Sequence, residues 1–371
     1  MISALGMRMR RFGLRLWRPK RLDWPLLYAL FVLACIGLLT LYSASDENMR
    51  LVISQALRFV LGGLMLLVVS RIPPRVLQAW TPWLYAFSTF LLLVVAIIGE
   101  GRGAYRWLDL GVVRFQPSEL LKLTMPMMVA WYLHPRHHPP SWKHTLGVAV
   151  LIAIPVSLIA EQPDLGTALL VAAAGAFALF LAGMRWWRIL ALVALAALAA
   201  PVAWHFMHEY QRQRVLTMLN PESDPLGAGW HIIQSKIAVG SGGFFGKGWQ
   251  HSTQSRLDFL PEHTTDFVFA VFGEEFGLFG VLLLLCLYLF IIGRCLWLAA
   301  EARETYSRLL AGAIGMSFFV YVIVNGGMIT GLLPVVGVPL PLVSYGGTSA
   351  VTLLTGFGVV MSIHAHRKTH E

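Results

Sequence analysis

The sequence predicts an all-α integral membrane protein, a polytopic bundle of about ten transmembrane helices with one large extracytoplasmic loop. Three observations carry that prediction. Hydrophobic residues make up 57% of the chain and charged residues only 13%, about half the charge of an ordinary soluble domain. Charge-free runs such as Trp24 to Ser43 and Leu165 to Gly183 each approach the roughly 20 residues that a spanning helix needs. The basic residues, finally, are distributed unevenly among the connections between such runs.

Taken in order, the apolar runs are Trp24 to Ser43, Leu51 to Ser70, Trp80 to Ile98, Pro117 to Leu133, Thr145 to Ala160, Leu165 to Gly183, Ile189 to Phe206, Phe267 to Ile292, Leu309 to Met328 and Val343 to His364. The first follows a basic arm, residues 1–23, and ends near Tyr42-Ser43-Ala44-Ser45, which resembles a secretory cleavage site. At 20 residues the run exceeds the apolar core of a signal peptide and reads as a retained helix. With the N-terminus in the cytoplasm, the cytoplasmic segments hold 18 Lys and Arg and the short outer loops 4. That bias sets the orientation and places both termini inside. It also accounts for the net charge of +10 without nucleic acid. The expected location is therefore a membrane that the chain crosses many times. One membrane domain spans residues 1–371, and its only long connection, residues 206–265, lies outside as a lid or substrate platform.

Cys35, Cys286 and Cys295 lie in or beside apolar spans without ligand-like spacing, so neither a disulfide framework nor a metal site is expected. The stretch Gly240-Ser241-Gly242-Gly243-Phe244-Phe245-Gly246-Lys247 resembles a nucleotide loop but has Ser241 and Gly248 where that motif needs Gly and Ser or Thr. Gly273 and Gly277 have the spacing of close helix packing. The histidines at 134, 137, 138 and 144, and at 364, 366 and 370, read as solvated groups of a cytoplasmic loop and tail. No cofactor is expected.

Ionisable groups in or beside spans are costly to bury, which makes each a functional candidate. They are Arg58, Glu119, Lys122, Asp266, Glu274 and Glu275. Glu119 and Lys122, three apart, share a helix face and form either a structural ion pair or part of a site. Asp266 begins the eighth run at the outer boundary, where it either caps the helix or does chemistry. Asp164 occupies a comparable outer turn. Arg212, Arg214, Lys236, Lys247 and Arg256 share the outer face with Arg106. Most of them suit anionic lipid, and a subset suits a diphosphate, which the guanidinium fork matches.

Six segments then carry a resemblance: AYRWLDLGVVRFQPSELLKL from Ala104, EQPDLGT from Glu161, YQRQRV from Tyr210, NPESDPLGAGWHIIQSKIAVGSGGFFGKGW from Asn220, LPEHTTDFVFAVFGEEFGLFG from Leu260 and GLLPVVGVPLPLVSYGGTS from Gly331. With them the chain resembles the SEDS family (shape, elongation, division and sporulation) of lipid II-polymerising peptidoglycan glycosyltransferases over nearly its whole length after the basic arm. Val335-Val336-Gly337-Val338-Pro339 looks like the elongation branch, which maintains rod shape, rather than the division branch.

The resemblance implies a catalytic base at Asp266 and substrate-binding roles at Glu119, Lys122 and Asp164. The reaction so implied needs cations for its leaving diphosphate, and Lys122 and Arg106 with Arg212 and Arg214 are the expected set. One departure stands out: family members commonly read His-Thr-Asp where this chain reads Thr264-Thr265-Asp266, with His263 one place earlier. The implied partners are lipid II, a class B penicillin-binding transpeptidase and other elongation-complex proteins, with no nucleic acid. A flippase for the same lipid, or a scaffold without chemistry, would share the composition.

Overall fold

The computed structural model describes residues 22–98, 107–109, 114–207, 209–224, 227–257 and 262–367. Helices occupy all ten predicted runs: α1 (Trp24–Ala44), α2 (Met49–Ser70), α3 (Pro74–Ile98), α4 (Pro117–Leu133), α5 (Trp142–Glu161), α6 (Leu165–Leu181), α7 (Trp186–Phe206), then, after the long connection, α11 (Val268–Glu301), α12 (Thr305–Thr330) and α13 (Thr348–Ala365). Among the described residues, seven helices are long and apolar enough to cross a membrane, namely α1, α2, α3, α5, α11, α12 and α13. The long connection folds into α8 (Glu209–Leu219), α9 (Ala228–Ser241) and the single turn α10 (Thr253–Arg256). A two-residue hairpin, Leu108–Asp109 against Arg114–Phe115, precedes α4.

Three boundaries move for identifiable reasons. Helix α3 starts at Pro74 rather than Trp80, because Pro suits the first helical turn and hydropathy misses an amphipathic start. Helix α11 runs on to Glu301, and its Arg294 is tolerated because two N–H groups reach the Asp23 carboxylate at 2.6 and 3.1 Å. Helix α13 begins only at Thr348, since Pro339, Pro341 and the Gly346-Gly347 pair cannot continue a helix upstream.

Helix α12 buries residues on every side from Tyr306 to Ile329, as a central helix must. The non-helical segment 331–347 threads in beside it, with Leu340, Leu342, Val343 and Ser344 all buried. Irregular backbone at membrane depth persists only where protein satisfies its polar groups. Here Asn325 Nδ2 donates to Val338 O at 2.8 Å, Tyr288 Oη to Pro341 O at 2.7 Å and Gln55 Nε2 to Ser344 O at 3.4 Å. The core helices thus hold a loop between α12 and α13 in a fixed shape, and the site is built on it.

Four histidine readings change, His144 and His364 being half-buried as well. His134 is half-buried, its ring nitrogens 2.7 Å from Gln78 Nε2 and 2.6 Å from Trp131 O, and half-buried His366 lies 2.8 Å from Ser362 O. Both are fixed against helix ends rather than free in solvent.

Candidate active site

Asp266 lies two residues before α11, on the turn 262–267. That turn closes on itself, with the N–H groups of Thr265 and Phe267 both donating to Glu262 O at 3.2 Å. One bond ties it to the buried loop, Tyr345 N donating to Thr264 O at 2.9 Å, and one ties it to α12, Asn325 Nδ2 donating to Asp266 O at 2.8 Å. Gly337, at φ 73°, lies under the carboxylate, and a Cβ added there would meet Asp266 Oδ2 at 3.4 Å. The acid is therefore held by its backbone while its side chain lies over a glycine.

Burial, then the neighbouring Glu262 carboxylate, pushes the Asp266 carboxyl from its ordinary 3.8 up to about 6, with Asp164 adding to the rise and Arg214 opposing it. Three acids and one guanidinium thus come together from the 262–267 turn, the start of α6 and α8. Arg214 also lies 6.0 Å over the Tyr210 ring. His231 of α9 stacks on Phe267 at 5.6 Å and is held below its ordinary value by burial, against the pull of Glu262 and Asp224.

Asp164 caps α6 by accepting from Thr167 N at 3.1 Å, and it accepts from Gln116 Nε2 at 2.9 Å. It thereby joins the starts of α4 and α6. It is also an electrostatic neighbour of Tyr321, whose ring lies 5.4 Å from Lys122 Nζ. Lys122 pairs with Glu119 Oε1 at 2.6 Å, the two side chains being 10% and 6% exposed. A cavity of about 30 Å³, bounded by Lys122, Leu123, Leu170, Tyr321, Leu353 and Phe357, lies against this pair, space enough for about one water.

The sequence candidates therefore divide. Asp266, Asp164 and Arg214 share one cluster, and Glu119 with Lys122 adjoins it through Tyr321. Arg212 points away: its Nε donates to Trp204 O and its Nη2 to His205 O, both at 2.9 Å, where a cation favours the C-terminal end of α7. Lys247 is taken up by Glu274 at 2.5 Å, and Lys236 lies exposed beside Gly331. Arg106 and the side chain of Arg256 lie outside the described residues.

Glu274 and Glu275 organise the connection instead. Glu274 accepts from Ser252 Oγ at 2.6 Å, Thr253 N at 3.0 Å and Gln254 N at 3.3 Å, and Glu275 accepts from Gln250 N at 3.1 Å and from Ser43 Oγ. Helix α11 breaks at Gly277, φ 64° and ψ −166°. Lys247 N and Gly248 N donate to Glu274 O and Glu275 O, both at 3.0 Å, while Leu278 N and Phe279 N donate back to Gly243 O and Phe244 O. The glycine-rich stretch thus pairs with a broken helix, and Gly277 serves that break rather than helix packing.

Residue-type reasoning missed Asn325, Tyr321, Gln116 and Tyr345. Asn325 carries a readable signal, an amide inside an apolar run, which the ionisable-group criterion passes over.

The family model of the FtsW, RodA and SpoVE cell cycle proteins matches residues 23–369. The peptidoglycan glycosyltransferase MrdB of Escherichia coli K12 is 52% identical over 354 residues, covering 95% of this chain and 96% of that one. Two solved structures share the fold. One is a chain of a peptidoglycan synthase complex that coordinates polymerization and crosslinking, with TM-score 0.81 and 33% identity over 94% of this chain and 99% of that one. The other is the rod shape determining protein RodA of Thermus thermophilus, with TM-score 0.71 and 31% identity over 94% and 98%.

Proposed function

This chain belongs to the FtsW, RodA and SpoVE family of cell cycle proteins, and from that premise we propose a peptidoglycan glycosyltransferase that uses Asp266 as its general base. It is a multi-pass membrane enzyme whose relatives at 52% identity bear the same activity. The substrate is lipid II, a disaccharide-peptide on a polyprenyl diphosphate. Its tail stays in the bilayer, which is why the enzyme is built of spanning helices.

A sugar hydroxyl of one substrate attacks the anomeric carbon of the other. The new C–O bond forms as the bond to the diphosphate oxygen breaks, and the electron pair leaves with the undecaprenyl diphosphate. The hydroxyl proton passes to Asp266. A base works best with a pKa near the operating pH, and a carboxyl raised to about 6 is a stronger proton acceptor than an ordinary aspartate while still ionised at neutral pH. Cations placed where charge develops stabilise the departing diphosphate. Arg214 faces the cluster, Lys122 with Glu119 adjoins it, and Arg106 completes the proposed set from the outer segments, while Arg212 is taken up by the carbonyls that end α7. Asp164 holds the starts of α4 and α6 in register, which keeps Lys122 and Asp266 on one wall.

The carrying observation is Asp266 itself, a partly buried acid in an acidic cluster, on a turn fixed to the core by Asn325 and Tyr345. The reaction is placed on the extracytoplasmic face of the inner membrane with both termini in the cytoplasm, and it serves rod-shaped elongation. The partner is a class B penicillin-binding transpeptidase, in keeping with the synthase complex that shares this fold, together with other elongation-complex proteins. The test is polymerisation of purified lipid II in detergent, with and without that transpeptidase. Asp266→Asn is expected to fold and make no glycan strands, and strands made at the wild-type rate would overturn the assignment. Because detergent leaves no bilayer to cross, polymer from the wild type also excludes a pure flippase.

A further inference from the structure

The end of the bundle opposite Asp266 carries a second concavity. Helix α11 runs on from its break at Gly277 to Glu301, about 36 Å at 1.5 Å per residue, and at its far end a cavity of about 600 Å³ opens among three chain segments. Its lining comprises Pro73, Pro74 and Arg75 at the start of α3, Arg303, Glu304 and Ser307 at the start of α12, and Ile363, His366 and Arg367 at the end of α13. None of these takes part in the polymerisation site.

The charges are arranged rather than scattered. Glu304 Oε1 holds Arg75 through Nε and Nη2, both at 3.1 Å, and Glu301 holds Arg367. Both arginines are thereby oriented, and both retain unused N–H donors of the five each guanidinium carries. Arg303 has no ion pair or hydrogen bond among the described residues, so the wall keeps one uncompensated guanidinium between two anchored ones. The starts of α3 and α12, 25 and 26 residues long, lie on the same wall and present the positive ends of their dipoles. Ser307, 5% exposed, adds a hydroxyl, and Pro73, Pro74 and Ile363 supply an apolar side.

We propose that this cavity binds a phosphate-bearing anion, and that its occupant is the glycerophosphate headgroup of an anionic phospholipid. Arginine forks match phosphate oxygens in pairs, helix starts favour anions, and basic pockets between helix ends hold anionic headgroups. The volume exceeds that of free phosphate several-fold and suits a headgroup with its glycerol, while the apolar side lets the acyl chains leave toward lipid. On the orientation proposed above this is the cytoplasmic leaflet, but the cavity and its test are the same in either leaflet.

The experiment extracts full-length wild type, Arg303→Gln and Arg50→Gln from vesicles mixing phosphatidylglycerol with phosphatidylcholine, and reads the retained lipids by native mass spectrometry. Arg50 lies at the opposite end of the bundle and controls for bulk charge. The wild type and Arg50→Gln are expected to retain phosphatidylglycerol preferentially, and Arg303→Gln to lose about fivefold of that preference. In a second arm, inorganic phosphate is titrated into delipidated protein while its melting temperature is followed. Stabilisation of the wild type but not of Arg303→Gln by phosphate alone, without lipid selectivity, would keep the phosphate site and assign it to a free ligand. Equal retention by all three proteins together with no response to phosphate would refute the site, as would an equal loss in Arg50→Gln.

Discussion

Asp266 ionises with a burial penalty, and this gives two measurable consequences. Its carboxyl lies up near 6 because burial and Glu262 outweigh Arg214. A general base must be unprotonated, so the kcat/KM profile on lipid II is expected to rise with pH through an apparent pKa near 6. Removing the opposing cation in Arg214→Gln should move that limb to higher pH, and Glu262→Gln should move it lower. Stability runs the other way. A carboxyl whose folded pKa exceeds its ordinary 3.8 contributes stability in its protonated form, fully present below 3.8 and lost as the pH rises through about 6. At pH 8 a folded Asp266→Asn should therefore melt no lower than the wild type while being inactive, and a lower melting temperature would show that the carboxylate holds the fold. The paired buried charges at Glu119 and Lys122 call for a different design. Glu119→Gln leaves Lys122 without its 2.6 Å partner and should cost about 3–5 kcal/mol, whereas Glu119→Gln combined with Lys122→Met should regain most of that. A stable but inactive double variant assigns the lysine to the reaction, and a stable, active one assigns it to packing. The sequence alone located these acids because ionisable residues are rare in apolar runs. It did not separate Arg214 from Arg212, since both sit two apart on α8 and only the position of the α7 end shows that Arg212 is occupied with backbone carbonyls.

Between residues and bundle stand two irregular segments, and these were the least legible part of the chain. Hydropathy averages over a window, so it reads Phe267 to Ile292 as one apolar run and passes over the break at Gly277 within it. The break becomes intelligible only with the loop that fills it. Residues 243–248 exchange backbone hydrogen bonds with 274–279, and a Cβ on Gly277 would lie 2.3 Å from Gly246 N. Gly277→Ala is expected to place a side chain at a backbone conformation reserved for glycine, at about 1–3 kcal/mol before the clash is counted, and to loosen the whole connection. Proteolysis within residues 242–257, slow in the wild type and fast in the variant, would register it; unchanged resistance would mean that the pairing does not hold the loop. Only the end of the 331–347 segment, from Val343, reads from sequence as the start of the tenth span, because Val343 is apolar and hydropathy passes over the Gly346-Gly347 pair that keeps the helix from starting before Thr348. Asn325 supports it with one amide serving both Asp266 O and Val338 O at 2.8 Å. Asn325→Leu leaves the buried Val338 carbonyl unpaired, at about 1–3 kcal/mol, and frees the half-buried Asp266 carbonyl. It should lower kcat more than it raises KM, since the base is displaced while substrate contacts are retained.

At the scale of the molecule, the alternation of basic and neutral connections is the feature that the fold cannot reveal, because the helices pack identically in either orientation. The 18 Lys and Arg of one set of segments against 4 of the other short loops are the ground on which Asp266 and the long connection are proposed to lie outside. The reaction requires this as well, for the growing strand must emerge where the wall is built. The native Cys35, Cys286 and Cys295 all lie within α1 and α11, so a cysteine-free background with all three replaced by Ala permits single reporters. His251→Cys sits in the exposed part of the long connection, and His137→Cys is exposed in the α4–α5 loop. In intact cells whose outer membrane has been opened, a membrane-impermeant maleimide is expected to label position 251 and spare 137, with both labelled after lysis. The reverse pattern would turn the bundle over and put Asp266 in the cytoplasm, where it would face lipid II before export. Polymerisation there would leave the glycan on the wrong side of the bilayer, so that single result would remove the proposed role of Asp266 even if its pH profile were as expected.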